Sequence, residues 1–290
     1  MDNSDYSIDK TLMRRSFANA ATTYDQVAVM QHEVGQRMLE RMQFLKVDPE
    51  VVLDLGAGTG KHTVKLDRMY RKARVVALDI ALPMCQQARR IKPWLSKLRY
   101  ICGDIECLPF ADASADMIFS NLCLQWARDL DQTFAEFRRV LKPNGVLMFT
   151  TFGPDTLKEL RYSWAQVDDS IHVNSFLDMH DIGDTLLRAG LSEPVMDVEQ
   201  FTLTYPDVMG LMRDLKQVGA HNVTYGRRHS LTGKSRLRAM QQNYEIFRQE
   251  DVLPASYEVV YGHAWVGATA PQTQTTIPID VLRSSRGEKN

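Results

Sequence analysis

The chain is expected to be an α/β protein. Its sheet should be seven-stranded and mostly parallel, with helices on both faces, a helical lid in front and helical insertions after the fifth strand. Three observations predict this. Residues 51–60 read VVLDLGAGTG, a short run of branched apolar residues that passes directly into glycines. Asp79 lies nineteen positions after Gly60 and closes a second apolar run, VVALDI. Strand-like and helix-like segments then alternate as far as Thr151, the pattern of a parallel sheet with crossover helices.

Val51–Leu55 suits a strand covered on both faces. Gly56, Ala57, Gly58, Thr59 and Gly60 form the turn, where glycine permits positive φ and close approach of a ligand to the backbone. Val64, Leu66 and Met69 begin a helical period, and Arg74–Asp79 is the second strand. Leu98–Cys102 and Ala115–Ser120 read as strands three and four. Leu130, Phe134, Phe137 and Leu141 repeat at helical spacing. Lys142–Gly145 makes a turn, and Val146–Thr151 is strand five.

The loop is GxGxG, not the GxGxxG of dinucleotide sites, and it lacks the GxxxxGK[ST] phosphate loop. Asp54 precedes the turn, where a carboxylate would oppose a diphosphate but suit an ammonium or sulfonium group. That points to S-adenosylmethionine. Asp79 at a strand end can accept hydrogen bonds from both ribose hydroxyls. Asp104 and Ile105 fall at the end of strand three, for the adenine amino group and ring. Asn121 and Leu122 end strand four, near the transferable methyl.

The chain has 290 residues, 44% of them hydrophobic, and a net charge of −1. It can bury one full domain with an insertion, and it has no global drive toward nucleic acid or membrane. No apolar run approaches membrane-span length. Asp2, Asp5 and Asp9 and the lack of an apolar stretch argue against a signal or transit peptide. Cys85, Cys102, Cys107 and Cys123 form no CxxC pair and are expected to be small buried hydrophobes in a reducing, cytoplasmic compartment. No histidine spacing suggests a metal.

Residues 1–8 and 268–290 are expected to be disordered around a single domain, 9–267. Residues 9–45 form a lid of two helices that break near Thr22–Thr23, with Tyr24 at the break facing the methionine end of the cofactor. Residues 46–152 form the cofactor half, and 153–267 carry the substrate side. In that last part, residues 153–167 should be a helix with Thr156 and Glu159 as a capping box. Residues 178–190 should be a helix ended by glycine, and 206–219 a helix with proline at its start. A helix over 234–250 and strands over 195–205 and 257–266, both of antiparallel type, complete the sheet. Segments 154–190 and 206–250 should sit above the ligand edge. Arg227, Arg228, Lys234, Arg236 and Arg238 put five fixed positive charges, and no acid, into residues 226–238, a docking patch for an acidic partner.

VLDLGAGTG, ALDI, GDIECLPF and EFRRVLKPNG resemble the class I, Rossmann-like S-adenosylmethionine-dependent methyltransferases over residues 45–152. That likeness implies that Asp54, Gly56, Ala57, Gly58 and Gly60 line the methionine end, that Asp79 and Ile80 hold the ribose side, and that Asp104 and Ile105 hold adenine. A more specific resemblance rests on AATTYDQVAVMQHEVGQRMLERM, SNLCLQW, FTTFGPDTLKELR, IHVNSF and LMRDLKQVGAHN, and runs over about residues 10–267. It is to the malonyl-acyl-carrier-protein O-methyltransferases of biotin synthesis.

That resemblance implies methyl transfer to the free carboxylate of a malonyl thioester, on an acidic carrier protein or on coenzyme A, by a monomer. A carboxylate is ionised at pH 7 and needs no general base. The site needs only to align it, through an arginine or neutral donors. Candidates are Tyr24, Arg161 and His172, with Lys216 weaker. Three alternatives stay open on sequence. One is a methyltransferase of a quinone-type small molecule. Another is a protein like the complex I assembly factors that act on a polypeptide arginine, which FGPDTLKELR and YEVVYGHAW also resemble. The third is a cofactor-binding regulator without catalysis.

Overall fold

A computed structural model describes residues 7–227 and 233–267. Its sheet contains β1 (Val51–Leu55), β2 (Arg74–Asp79), β3 (Arg99–Cys102), β4 (Ala115–Ser120), β5 (Leu141–Phe152), β6 (Leu191–Tyr205) and β7 (Leu253–Val266), in the order β3-β2-β1-β4-β5-β7-β6. β1 to β5 pair in parallel, and β7 runs antiparallel to both of its neighbours. The chain order reverses between β1 and β4, so the carboxyl ends of these two strands open the crevice where such sheets bind ligands.

The helices are α1 (Lys10–Ala20), α2 (Tyr24–Val27), α3 (Val29–Met42), α4 (Lys61–Met69), α5 (Leu82–Arg90), α6 (Leu130–Val140), α7 (Lys158–Ala165), α8 (Met179–Arg188), α9 (Val208–Gln217) and α10 (Lys234–Tyr244). The two faces of the sheet follow from strand alternation. Val52, Val75 and Met117 join one cluster with Val34 and Met38 of α3, Leu160 and Trp164 of α7, and Tyr244 of α10. Leu53, Leu55 and Ile118 join the other, with Phe134 and Phe137 of α6 and Leu186 of α8. Each such side chain, buried, contributes roughly 1.5–3 kcal/mol of burial free energy. Asp9, Asp129, Asp178 and Asp207 each cap a helix through a carboxylate that accepts a backbone N–H of its first turn.

Several expectations are corrected. Only β7 is reversed. β6 pairs antiparallel with β7 and therefore points along β1–β5, because α8 carries the chain back across the sheet before β6 begins. For the same reason α8 lies on a sheet face against α6 and not above the ligand edge. In the lid, α3 belongs to the core of a sheet face, and α1 and α2 do the covering. β5 begins at Leu141, and the expected turn is an irregularity within it, with Asn144 at φ 62°.

There is no capping box before α7. Leu157, left-handed at φ 55°, precedes the helix. Thr156 Oγ1 donates to the Glu258 carbonyl (3.1 Å), and Glu159 accepts from Ser256 N (3.1 Å), so both side chains tie the turn to β7. Pro206 precedes the α9 cap and is not its first residue. Of the cysteines only Cys85 is buried, and Cys102 and Cys107 are exposed. Order starts before residue 9: Ile8 is buried and bridged to Thr224. Residues 268–290 lie outside the described residues, and among the described residues no helix is long and apolar enough to cross a membrane.

Candidate active site

The glycine turn leaves β1 at the crevice and is bound to the end of β2. The Gly56 and Ala57 amides donate to the Leu78 carbonyl at 2.8 and 3.0 Å. All three glycines have positive φ, for different reasons. A Cβ on Gly56 would sit 2.3 Å from Cys123 Sγ, and one on Gly60 2.7 Å from the Ala88 Cβ, so these two are glycines for packing. A Cβ on Gly58 would meet nothing closer than Tyr24 Cε1 at 4.0 Å. That face of the backbone is open to a ligand. The Asp79 carboxylate accepts from Gly58 N (2.9 Å) and Ala81 N (2.8 Å), which fixes it at the crevice floor.

One chamber runs over these groups. Gly56, Gly58, Asp79, Ile80, Asp104, Ile105, Asn121 and Leu122 line it, roofed by Met13 and Phe17 of α1 and by Tyr24. Asn121 is oriented by Thr150, whose hydroxyl donates to Asn121 Oδ1 (2.8 Å), while Nδ2 donates to the Gln31 carbonyl (2.9 Å). Leu122 is left-handed at φ 47°, held by its N–H to Thr150 Oγ1 (2.9 Å). At the adenine end, Lys10 of α1 reaches Asp104 (2.6 Å) and also pairs with Glu106. α1 is thus latched over Asp104. The sequence offered no sign of Lys10, since a lone lysine at a helix start has no pattern.

A smaller polar chamber adjoins the glycine loop. It is lined by Asp54, Ala57, Tyr24, His32, Lys61 and His62, among others. Asp54 is only 2% exposed and accepts from Thr63 Oγ1 at 2.5 Å. Burial pushes its pKa up to about 7, with Asp79 adding to the rise, and burial lifts Asp79 to about 6. Lys61 lies 3.0 Å from His32 Nε2 and 3.4 Å from Asp25, which also accepts from Thr59 Oγ1 (2.7 Å). Burial, then Lys61, lowers the His32 pKa, and burial takes His62 down to about 4. Tyr24 and Cys123 are pushed well above their ordinary values by burial and then by Asp79, so both stay protonated. Cys123 is therefore no thiolate nucleophile. His32, Lys61 and His62 were missed in the sequence because α3 brings them together only in the fold.

These residues fit S-adenosylmethionine. The open face of Gly58 admits a ligand against the backbone, Asp79 and Asp104 offer acceptors at separate points, and among the described residues neither the buried Asp54 nor the half-buried Asp79 has an ion-pair partner. Gly60 is the exception, since it supports α4 and does not line the chamber.

A second, larger chamber of about 380 Å³ shares Gln31, Gln125, Trp126, Phe152, Val218 and Ala220 with the first. It is the candidate space for an acceptor. Among its described lining residues the polar side chains are neutral apart from Asp214. Asn174 lines it, buried, with an Oδ1 that has no hydrogen-bond partner among the described residues.

The structure separates the expected carboxylate binders. Tyr24 lines the first chamber and the smaller one beside the glycine loop. Arg161 donates to the carbonyls of Pro154 (2.8 Å) and Thr156 (3.0 Å), satisfying the turn before α7. His172 stacks on Trp164 at 3.8 Å and pairs with Asp168 (2.7 Å). Arg161 and His172 line another cavity, and Lys216 lines none of these chambers. In the basic segment Arg227 donates to the Thr224 carbonyl (2.8 Å) and lies 3.7 Å from Asp9, and Arg236 lies 3.6 Å from Asp168. Lys234 and Arg238 are exposed, and Arg228 lies outside the described residues.

Residues 53–149 match a methyltransferase domain family. Beyond that domain, the chain is 50% identical over 279 residues to a malonyl-[acyl-carrier protein] O-methyltransferase of Methylovorus sp. (strain MP688), covering 94% of this chain and 93% of that protein. It is 51% identical over 267 residues to one of Gallionella capsiferriformans (strain ES-2), covering 90% and 92%. The chain belongs to the malonyl-[acyl-carrier protein] O-methyltransferase family. Among solved structures, the phosphoethanolamine N-methyltransferase 2 of Haemonchus contortus, crystallised with phosphomonomethylethanolamine and S-adenosylhomocysteine, aligns with a TM-score of 0.51 at 18% identity, over 81% of this chain and 52% of that one. That likeness is one of fold. Within the family, this chain is an S-adenosylmethionine-dependent O-methyltransferase.

Proposed function

We propose that this enzyme methylates the free carboxylate of a malonyl thioester, carried by acyl carrier protein or coenzyme A, and so supplies the methyl ester that primes the pimeloyl chain of biotin. The observation that carries the reading is the pair of joined chambers in a member of this family: a cofactor site opening across Gln125 and Phe152 into a space without a cationic side chain among its described lining residues. When bound, S-adenosylmethionine supplies a sulfonium methyl to a carboxylate oxygen, which is ionised at pH 7.

The protein's part is alignment and exclusion of water. Asp54 and Asp79 favour the positive cofactor. Tyr24, protonated, offers a neutral O–H in the first chamber, beside the glycine loop. Gln31, Gln125 and Asn174 offer amide groups that orient an anion without neutralising it as an arginine would. The product is an uncharged ester, which neutral amides hold less tightly than the anion.

For partners, the exposed Lys234 and Arg238 are our candidates to meet an acidic carrier, with Arg227 and Arg236 lending charge beside them. We take the enzyme to be monomeric and cytoplasmic, where carrier-bound malonate is made.

The test is incubation of the purified protein with methyl-labelled S-adenosylmethionine and malonyl-acyl carrier protein or malonyl-CoA. A base-labile methyl ester on malonate is expected. Label on a quinone precursor or an arginine peptide, with none on malonate, ends the reading.

A further inference from the structure

A third large cavity, of about 670 Å³, touches both chambers already described. Gln125 and Phe152 line all three, so they stand at a single junction between cofactor, acceptor space and this outer cavity. The polar Thr151 and Ser175, the apolar Leu130, Leu177 and Ile182, and Arg128 complete much of its wall. Arg128 is exposed, and among the described residues its side chain has no ion-pair partner. Among the described residues no acidic side chain lines the cavity.

A rival way in exists. The cavity lined by Arg161 and His172 meets the acceptor chamber at Asn174 and Phe176. Asp168 and Asp169 line it, and its arginine is bound to two carbonyls. It would repel an anion that the Arg128 cavity attracts.

We propose that the Arg128 cavity is the channel for the 4′-phosphopantetheine arm of the thioester substrate, with the arm's phosphate at Arg128 and its malonyl end at Gln125. This assignment rests on the malonyl-thioester reading above. The chemistry of the arm matches the groups on the wall. A malonyl carboxylate must reach the cofactor, the amides of the arm need polar partners such as Thr151 and Ser175, and its gem-dimethyl group needs apolar surface such as Leu177. The phosphate needs a cation near solvent. The outer rim also adjoins the basic segment. Ser7 and Ile8 line the cavity, and they are joined to Tyr225 and Thr224 by a 2.9 Å hydrogen bond and a β-bridge. A carrier protein on that segment would therefore stand over the opening.

Two variants and one control test the channel. Ala127→Phe narrows the wall, Arg128→Glu reverses the charge at the mouth, and Ala165→Trp obstructs the rival cavity. Steady-state kinetics compare malonyl-CoA, malonyl-pantetheine without phosphate, and S-methyl malonyl thioester, which has no arm. Ala127→Phe should raise KM for both long acceptors at least tenfold relative to the short one. Arg128→Glu should raise KM about tenfold for the phosphorylated acceptor relative to malonyl-pantetheine. Equal changes on long and short acceptors, or the selective loss appearing in Ala165→Trp, overturn the proposal. Calorimetry with 4′-phosphopantetheine, which carries no malonyl group, separates this idea from the function. Binding that weakens in Arg128→Glu supports the channel even where no malonyl thioester is methylated, in which case the function alone falls. Binding indifferent to both channel variants refutes the channel while methylation of malonyl-CoA keeps the function.

Discussion

Acidification should loosen the cofactor by an amount fixed by two buried carboxyls. Burial lifts Asp54 to about 7 and Asp79 to about 6, against an ordinary 3.8. The free enzyme at pH 7 therefore holds a proton on Asp54 about half of the time and on Asp79 about a tenth of the time. A ligand carrying ammonium and sulfonium groups favours both carboxylates, so binding expels those protons. The apparent Kd then scales as one plus ten to the power of pKa minus pH for each group. Between pH 7 and pH 6 that factor grows about 5.5-fold for Asp54 and about 1.8-fold for Asp79, roughly tenfold together. Calorimetric titration with S-adenosylmethionine at the two pH values, in buffers of different ionisation enthalpy, should give this ratio and a release of about 0.6 proton at pH 7. Asp54→Asn should bind more weakly at pH 7 and keep only the Asp79 slope. The sign for stability is opposite. Both groups have raised folded pKa values, so their contribution is present below about pH 4 and lost as pH rises through 6 and 7, and the Tm of the ligand-free protein should fall over that window. A flat Kd, or a slope unchanged in Asp54→Asn, refutes the reasoning.

Other perturbations have equally definite outcomes. Gly35→Ala, which in an exposed helix would gain about 1 kcal/mol, puts a Cβ 2.4 Å from the His62 ring and 2.9 Å from Asn121 Nδ2; a loss of about 1–3 kcal/mol in denaturant titration is expected, and a gain would contradict the packing. Lys10→Met unlatches α1 from Asp104 and Glu106, so stopped-flow fluorescence of Trp126, which packs edge-on to Phe17 of the lid at 5.2 Å, should show cofactor entry and exit both accelerated several-fold. Unchanged rates would mean that α1 is no lid. Lys234→Glu with Arg238→Glu should raise KM for the carrier-bound acceptor about tenfold and leave malonyl-CoA within twofold, and equal losses on both would remove the docking surface.

Where one strand and one turn determine a site, the sequence is readable. β1, β2 and β4 fall where their apolar runs place them, Asp79 closes β2, and Asp104 follows β3, which lies where its own run puts it. Glycine spacing was informative about the loop but silent about roles. Only contact with Cys123 and Ala88 shows that Gly56 and Gly60 are packing residues and Gly58 the approach. Arg161 looked like a carboxylate clamp because its helix follows strand five. Its guanidinium is taken by two carbonyls of a left-handed turn at Leu157, which no residue pattern announces. Lys10, His32 and the junction at Gln125 depend on contacts between segments far apart in the chain, and these arise only when the fold closes.

Asp214 makes the acceptor chamber's electrostatics a matter of orientation more than attraction. It sits on α9 one helical turn before Val218, which forms part of the wall shared with the cofactor chamber, and it lies beside the Tyr205 hydroxyl. An anionic acceptor entering this space meets the Asp214 carboxylate and no cation among the described lining residues. Asp214 should therefore push that carboxylate away from itself, a force that the uncharged ester does not feel. A cation at that position would do the reverse, holding the carboxylate where it cannot react and lowering its nucleophilicity. Asp214→Asn should accordingly lower KM for the malonyl thioester several-fold through unproductive binding and lower kcat with it, so that kcat/KM changes little. A kcat that stays constant, or a KM that rises, would show that the charge does not orient the acceptor.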